Sequence, residues 1–340
     1  MEEPLPEGGS CLLASINLGE YVVNKFSNEA YFDFEEFKKD VAIYIREMNI
    51  VLDEGLPLHP LQVQRESVSK WRQIGLGVMN IAGMFIYMGI KYGERESIEL
   101  SDKIGDILAK EALKASALLA KEQGAYPGFD KEAVLNSPFF QYHKTEELEE
   151  LVSKYGLRNS QLLTIAPTGS ISTYMNLASG GIEPIFALKF FRTTKSLHGK
   201  DVSYEVDSTI IQELKNSLNI DYLPDYVTTA MELDYKQRIK MQSTWQKHID
   251  AAISSTINLA HETTVEEVFD IYIEAWKNGL KGCTVYRSGC EREGILTVEQ
   301  DDEEMKVTKD DHLCPECGAE LVASAGCYEC ASCGWGKCSL

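Results

Sequence analysis

Six of the nine cysteines in this chain fall between Cys314 and Cys338, with only Cys11, Cys283 and Cys290 elsewhere. In a reducing compartment such crowding reads as metal binding or thiol redox chemistry, not as a disulfide framework. Cys314-Pro315-Glu316-Cys317 and Cys330-Ala331-Ser332-Cys333 each set two thiolates on one tight turn, with twelve residues between the turns. Two such turns facing each other close a tetrahedral site for structural Zn²⁺ through Cys314, Cys317, Cys330 and Cys333. That assignment leaves Cys327 and Cys338 over as a redox pair. A second assignment stays open, with Cys314, Cys317, Cys327 and Cys330 on the metal and Cys333 and Cys338 as the dithiol. Cys338 stays off the metal in both, and Lys337 beside it favours a thiolate. A dithiol tail without metal is the plain alternative.

The rest of the chain patterns as an α/β body. A helix is expected over 33–53, with Asp33 and Glu36 as a capping box and Phe37, Val41, Tyr44, Met48 and Val51 at helical spacing. A second is expected over 71–87, where Gly75, Gly77 and Gly83 permit close packing. A third runs over 95–123 and stops at Gly124. Gln161-Leu162-Leu163-Thr164-Ile165-Ala166 reads as a buried strand. Thr264 and Glu267 form another capping box, opening a helix through Val268, Ile271, Tyr272, Ala275 and Trp276, and a strand follows from Leu280 to Tyr286. Helix alternating with short apolar strand indicates α/β. The layout is a body over 1–290, a linker over 291–311 containing the acidic run Gln300-Asp301-Asp302-Glu303-Glu304, and a zinc-ribbon-like tail over 312–340.

The 340 residues carry a formal charge of -20, with 44% hydrophobic and 25% charged residues. That balance argues against binding a nucleic acid polymer, which needs a basic surface. It leaves room for a nucleotide, because a phosphate can be held by backbone N–H groups alone. No window approaches the length of a membrane span, and Met1-Glu2-Glu3-Pro4 has no secretory character, so the expected location is the cytoplasm.

Pro167, Thr168, Gly169, Ser170, Ile171 and Ser172 follow the expected strand and precede a helical start near Thr173. Free amides, hydroxyls and the positive end of a helix would hold an anion there without a lysine. The same residues serve simple capping equally well. Cys11, among leucine and alanine, is by itself a small buried hydrophobe. His248 reads as a helix-surface or packing residue, and Cys283 and Cys290 as structural thiols.

Five segments, in order, resemble the large subunit of ribonucleotide reductases. They are Ser10-Cys11-Leu12-Leu13-Ala14-Ser15-Ile16-Asn17-Leu18-Gly19, Ile74-Gly75-Leu76-Gly77-Val78-Met79, and the run from Leu162 to Ser172. Ser179-Gly180-Gly181-Ile182-Glu183-Pro184 and the run from Gly279 to Arg287 complete the set. The resemblance implies the C-terminal half of the family's ten-stranded α/β barrel. It implies a substrate-phosphate loop at 167–172 and a reducing thiol at Cys11. The family's radical loop, Asn-Pro-Cys-Gly-Glu-x-Pro-Leu, aligns on Pro4-Leu5 and puts Glu2 at the motif glutamate, the acid/base. Its Asn and Cys have no counterpart here.

The resemblance thus implies a complementary N-terminal chain that supplies the radical cysteine, or a truncated gene product. It also implies a ribonucleotide substrate, a diphosphate by the zinc-tailed type, a thioredoxin-like reductant and a dimer of the completed enzyme. The cysteine tail resembles the adenosylcobalamin-dependent class. A fragment of the anaerobic glycyl-radical class, which also carries a four-cysteine zinc site, is one alternative. A non-enzymatic zinc-ribbon binding protein is the other.

Overall fold

Short apolar runs and well-placed glycines decide where the strands lie. The computed structural model describes residues 2–194, 202–289 and 296–297. In the tail it describes 314, 317, 319, 322–324, 327–330, 332–333 and 336–338. β1 (Leu13–Asn17) leads into two short strands, β2 (Val22–Val23) and β3 (Tyr31–Phe32), which pair antiparallel. α1 (Phe34–Gly55) starts from Asp33, whose side chain accepts from the amides of Glu35 and Glu36. Its core face is Phe37, Val41, Ile45, Met48 and Leu52, while Tyr44 and Val51 point outward at 39% and 54% exposure. The expected stripe included those two. Steps of four, four, three and four keep a stripe on one face of a helix, and Ile45 and Leu52 meet that spacing.

The helix expected over 71–87 is three pieces: the end of α2 (Gln62–Trp71), the fully buried strand β4 (Gly75–Met79) and α3 (Ile81–Met88). Glycine makes the strand possible. A Cβ on Gly77 would sit 2.1 Å from the Thr164 carbonyl oxygen, and one on Gly75 2.4 Å from Thr164 Cγ2. The neighbouring extended segment can therefore lie directly against β4. Arg72 and Asn80, both left-handed, close α2 and open α3.

α4 (Arg95–Gln123) has the expected bounds, with Gly124 at φ +88 as its stop. It packs against α1 and buries a long alanine-rich face. α5 (Lys131–Leu135), α6 (Pro138–His143) and α7 (Glu146–Tyr155) follow, each capped by a side chain, from Asp130, Ser137 and Thr145. The segment from Gln161 to Ala166 is extended and buried. It bridges β4 in parallel at Leu163–Leu76 and the stretch at Ile253 in parallel at Ile165. α8 (Gly169–Tyr174) begins four residues earlier than expected. Next come β5 (Lys189–Thr194), β6 (Val202–Asp207), α9 (Thr209–Leu218), α10 (Tyr235–Gln246) and β7 (Thr256–Leu259). α11 (Val265–Lys277) opens on the expected Thr264/Glu267 capping box. β8 (Thr284–Arg287) and β9 (Leu296–Thr297) precede the tail strands β10 (Val322–Ser324), β11 (Cys327–Glu329) and β12 (Gly336–Cys338).

The body is a succession of parallel pairings: β1 with β4, β4 with the segment at Leu163, that segment with Ile253, and β7 with β8. Among the described residues these pairings do not close into a barrel. Two compact units result: residues 1–188 with 208–291, and residues 189–207 with 292–340. In the second unit β5 pairs with β6 and β9, and β10, β11 and β12 form an antiparallel sheet. The acidic run at 300–304 and Cys290 lie outside the described residues. No described helix is long and apolar enough to cross a membrane.

Candidate active site and metal centre

Cys11 stands two residues before β1, exposed, close enough to Glu3 for each side chain to act on the other's proton. Glu3 is buried, and its Oε1 accepts from Gln161 Nε2 at 2.9 Å. Burial pushes the Glu3 carboxyl above its usual range, and the nearby Cys11 thiol pulls part of the way back. Desolvation, then the charge of Glu3, pushes the Cys11 thiol up to about 11. The thiol therefore keeps its proton at neutral pH.

Glu2, expected as the acid, holds the same corner through its backbone. Its carbonyl accepts from the amide of Ala252 at 3.0 Å and from the Thr164 hydroxyl. Its charge acts on both Glu3 and Cys11. The carboxyl that acts more strongly on the thiol is that of Glu3, and no signal in the sequence marked it.

The loop at 167–172 is fastened from inside. Thr168 takes a left-handed conformation at φ 54 and is buried. Its hydroxyl lies 2.9 Å from that of Ser172 and accepts from the amide of Gly181 at 2.8 Å. Gly180 presses on the loop so closely that a Cβ would meet the Pro167 carbonyl at 2.3 Å. Thr168 and Ser172 are thus committed to holding the loop, while Pro167, Gly169, Ser170 and Ile171 are exposed. No side chain caps α8. The Ser179–Pro184 segment is tied further in: Glu183 accepts from the amide of Thr256 at 2.8 Å, and Tyr92 donates to the Ile182 carbonyl at 2.6 Å. A cavity of about 490 Å³ reaches the ends of β1 and β4 at Asn17 and Met79, and Met175 just beyond α8.

The strand feeding the loop is held by a residue the sequence reading passed over. Asp250 accepts from the amides of Leu162 at 2.9 Å and Leu163 at 2.7 Å. Burial pushes its carboxyl up to about 6, against the pull of those amides.

In the tail, the sulfurs of Cys314, Cys317, Cys330 and Cys333 all lie within 4.8 Å of one another. Cys314 and Cys333 are 3.5 Å apart at sulfur, and Cys317 and Cys330 3.4 Å. Zn–S bonds of about 2.3 Å in a tetrahedron put sulfurs roughly 3.8 Å apart, so a small relaxation admits the ion. The four thiols brought together are those of the two Cys-x-x-Cys turns. Cys327 stands opposite Cys338 in the register of β11 and β12. Cys283 is half-buried, its thiol pushed up by burial.

The sequence model of the family described as "Ribonucleotide reductase, barrel domain" matches residues 1–286. The chain belongs to the ribonucleotide reductase family. Among its relatives is the vitamin B12-dependent ribonucleoside-diphosphate reductase of Mycobacterium tuberculosis, 31% identical over 314 residues, covering 87% of this chain and 42% of that protein. The enzyme of the same name from Thermoplasma acidophilum is 32% identical over 317 residues, covering 87% of this chain and 38% of the relative. The ribonucleoside-diphosphate reductase subunit alpha of Chlamydia pneumoniae is 29% identical over 323 residues, covering 83% and 30%. The chain spans about two fifths of the length of the first two relatives.

Proposed function

We propose that this chain is the substrate-side portion of an adenosylcobalamin-dependent ribonucleoside-diphosphate reductase, acting with a radical-loop cysteine that lies outside residues 1–340. The observation that carries the reading is the family match over residues 1–286, which takes in Cys11 two residues before β1. Relatives whose names state dependence on vitamin B12 favour the cobalamin class over the glycyl-radical one. Adenosylcobalamin would start the radical in the completed enzyme. No described residue of this chain is assigned to hold it, and no step below runs through it.

Removing the ribose 2′-hydroxyl as water takes two electrons and protons for the leaving oxygen. Cys11 and a partner thiol outside residues 1–340 give the two electrons as they join in a disulfide. Protonated thiols bring their protons with them, which is what the raised Cys11 provides. Glu2 is the acid/base by its place in the motif, and the charge of Glu3 helps keep the proton on the thiol. The substrate phosphates sit at Pro167 to Ser172 on the first amides of α8, with Thr168 and Ser172 bracing the loop from behind.

Zinc on Cys314, Cys317, Cys330 and Cys333 would hold the tail's shape without joining the chemistry. Cys327 and Cys338, opposite in register, are the pair that exchanges with the Cys11 disulfide and passes electrons from a thioredoxin-like reductant. The completed enzyme works as a dimer. Titrating a ribonucleoside diphosphate into this chain plus its complement tests the reading: saturable binding is expected, and no binding overturns it.

A further inference from the structure

Two buried histidines outside the reductase site pose a problem of proton count. His143, the last residue of α6, and His248, two residues past α10, are 0% and 1% exposed. His143 Nδ1 lies 2.9 Å from the Phe139 carbonyl oxygen, which can only accept, so this nitrogen carries a proton. His248 Nε2 lies 3.2 Å from Asp102 Oδ1, again an acceptor, so it carries one too. Both neutral imidazoles have then spent their single proton. The remaining nitrogens, His143 Nε2 and His248 Nδ1, face each other at 2.9 Å. Two lone pairs at that distance in a closed core repel unless a cation joins them.

The surroundings supply the rest of a binding set. Asp106 offers a carboxylate oxygen, and its ligand atom and those of the two histidines lie within 4.8 Å of one another. Lys110 takes Asp106 Oδ2 at 2.7 Å and leaves the other oxygen for the cluster. A carboxylate on one histidine and a backbone carbonyl on the other are the outer partners that fix metal-binding imidazoles. At tetrahedral bonds of roughly 2.0–2.1 Å, two imidazole nitrogens on one ion stand about 3.3–3.4 Å apart, so the pair at 2.9 Å opens by a few tenths of an ångström to admit it. Gly105 gives His248 its place, since a Cβ there would lie 2.6 Å from the ring.

We propose that Asp106, His143 and His248 bind a divalent zinc-type cation, a structural site separate from the four-cysteine centre. Its position gives it a job. It pins α4 and α6 to the turn that carries Asp250, and Asp250 holds the strand leading to the phosphate loop.

The test is metal content of the purified full chain by mass spectrometry after exchange against a weak chelator. A Cys317→Ser/Cys333→Ser chain, stripped of the tail site, should retain one zinc. Adding Asp106→Asn, which alters a half-buried surface carboxylate and leaves the histidines in place, should lower that occupancy at least tenfold at limiting zinc. Cobalt loaded into the same background should lack the thiolate-to-metal absorption that the tail site shows. A folded background chain without metal, with ring nitrogens whose ¹⁵N shifts report one extra shared proton, overturns the proposal. So does zinc unaffected by both Asp106→Asn and His143→Gln.

Discussion

The carboxyl of Glu3 acts on the thiol of Cys11: burial, then the negative charge of Glu3, pushes the thiol up to about 11. Glu3→Gln removes the charge and keeps the shape. Alkylation of Cys11, followed by peptide mapping across pH, should then be faster at pH 8 by roughly one order of magnitude, because the thiolate is the reactive form. Glu2→Gln should shift the profile less. A Glu3→Gln profile identical to wild type would remove Glu3 from the account.

Gly180 and Gly169 make opposite demands on the phosphate loop. Gly180→Ala drives a methyl into the Pro167 carbonyl and should destabilise the body by about 1–3 kcal/mol, read by denaturant unfolding. A Cβ on Gly169 meets nothing within 4 Å. Gly169→Ala should therefore leave stability alone, yet weaken diphosphate binding because it crowds the place where the phosphate approaches. Equal loss of stability in both variants would contradict the loop geometry.

Asp250 has a pH signature with a definite sign. Its folded value of about 6 lies above the ordinary 3.8, so folding favours its protonated form. Its contribution is fully present below about pH 4 and is lost as pH rises through about 6. Asp250→Ala should flatten that stretch of the stability curve. It should also cost about 2–4 kcal/mol at neutral pH by stranding the amides of Leu162 and Leu163. Chemical denaturation at pH 4 and pH 7 reads both effects.

The tail makes a choice between its two cysteine assignments. Cys333→Ser should abolish zinc binding by the four-cysteine centre, and Cys327→Ser should spare it. Turnover with a thioredoxin-like reductant should fail in both Cys327→Ser and Cys338→Ser. Loss of tail zinc in Cys327→Ser would restore the other assignment.

What the sequence disclosed was what neighbours in the chain decide. Asp33, Thr264 and Gly124 act within one helical turn, so α1, α4 and α11 were legible, as were the paired Cys-x-x-Cys turns. β4 was misread because its glycines answer to Thr164, far along the chain, and nothing local reports that contact. His248 was read as surface or packing, and it is buried against His143, 105 residues away. Glu3 gained its place from Gln161, and Asp250 from two amides across the fold. Partners that only folding brings together leave no spacing to read.

Deoxyribonucleoside diphosphate formation tests the central claim most directly. The chain would be mixed with a polypeptide carrying the radical-loop cysteine, adenosylcobalamin, a dithiol reductant and a ribonucleoside diphosphate. Product should form only when both polypeptides are present, and Cys11→Ser should abolish sustained turnover while the chain still folds. Turnover by the complement alone, or turnover indifferent to Cys11→Ser, would contradict the account.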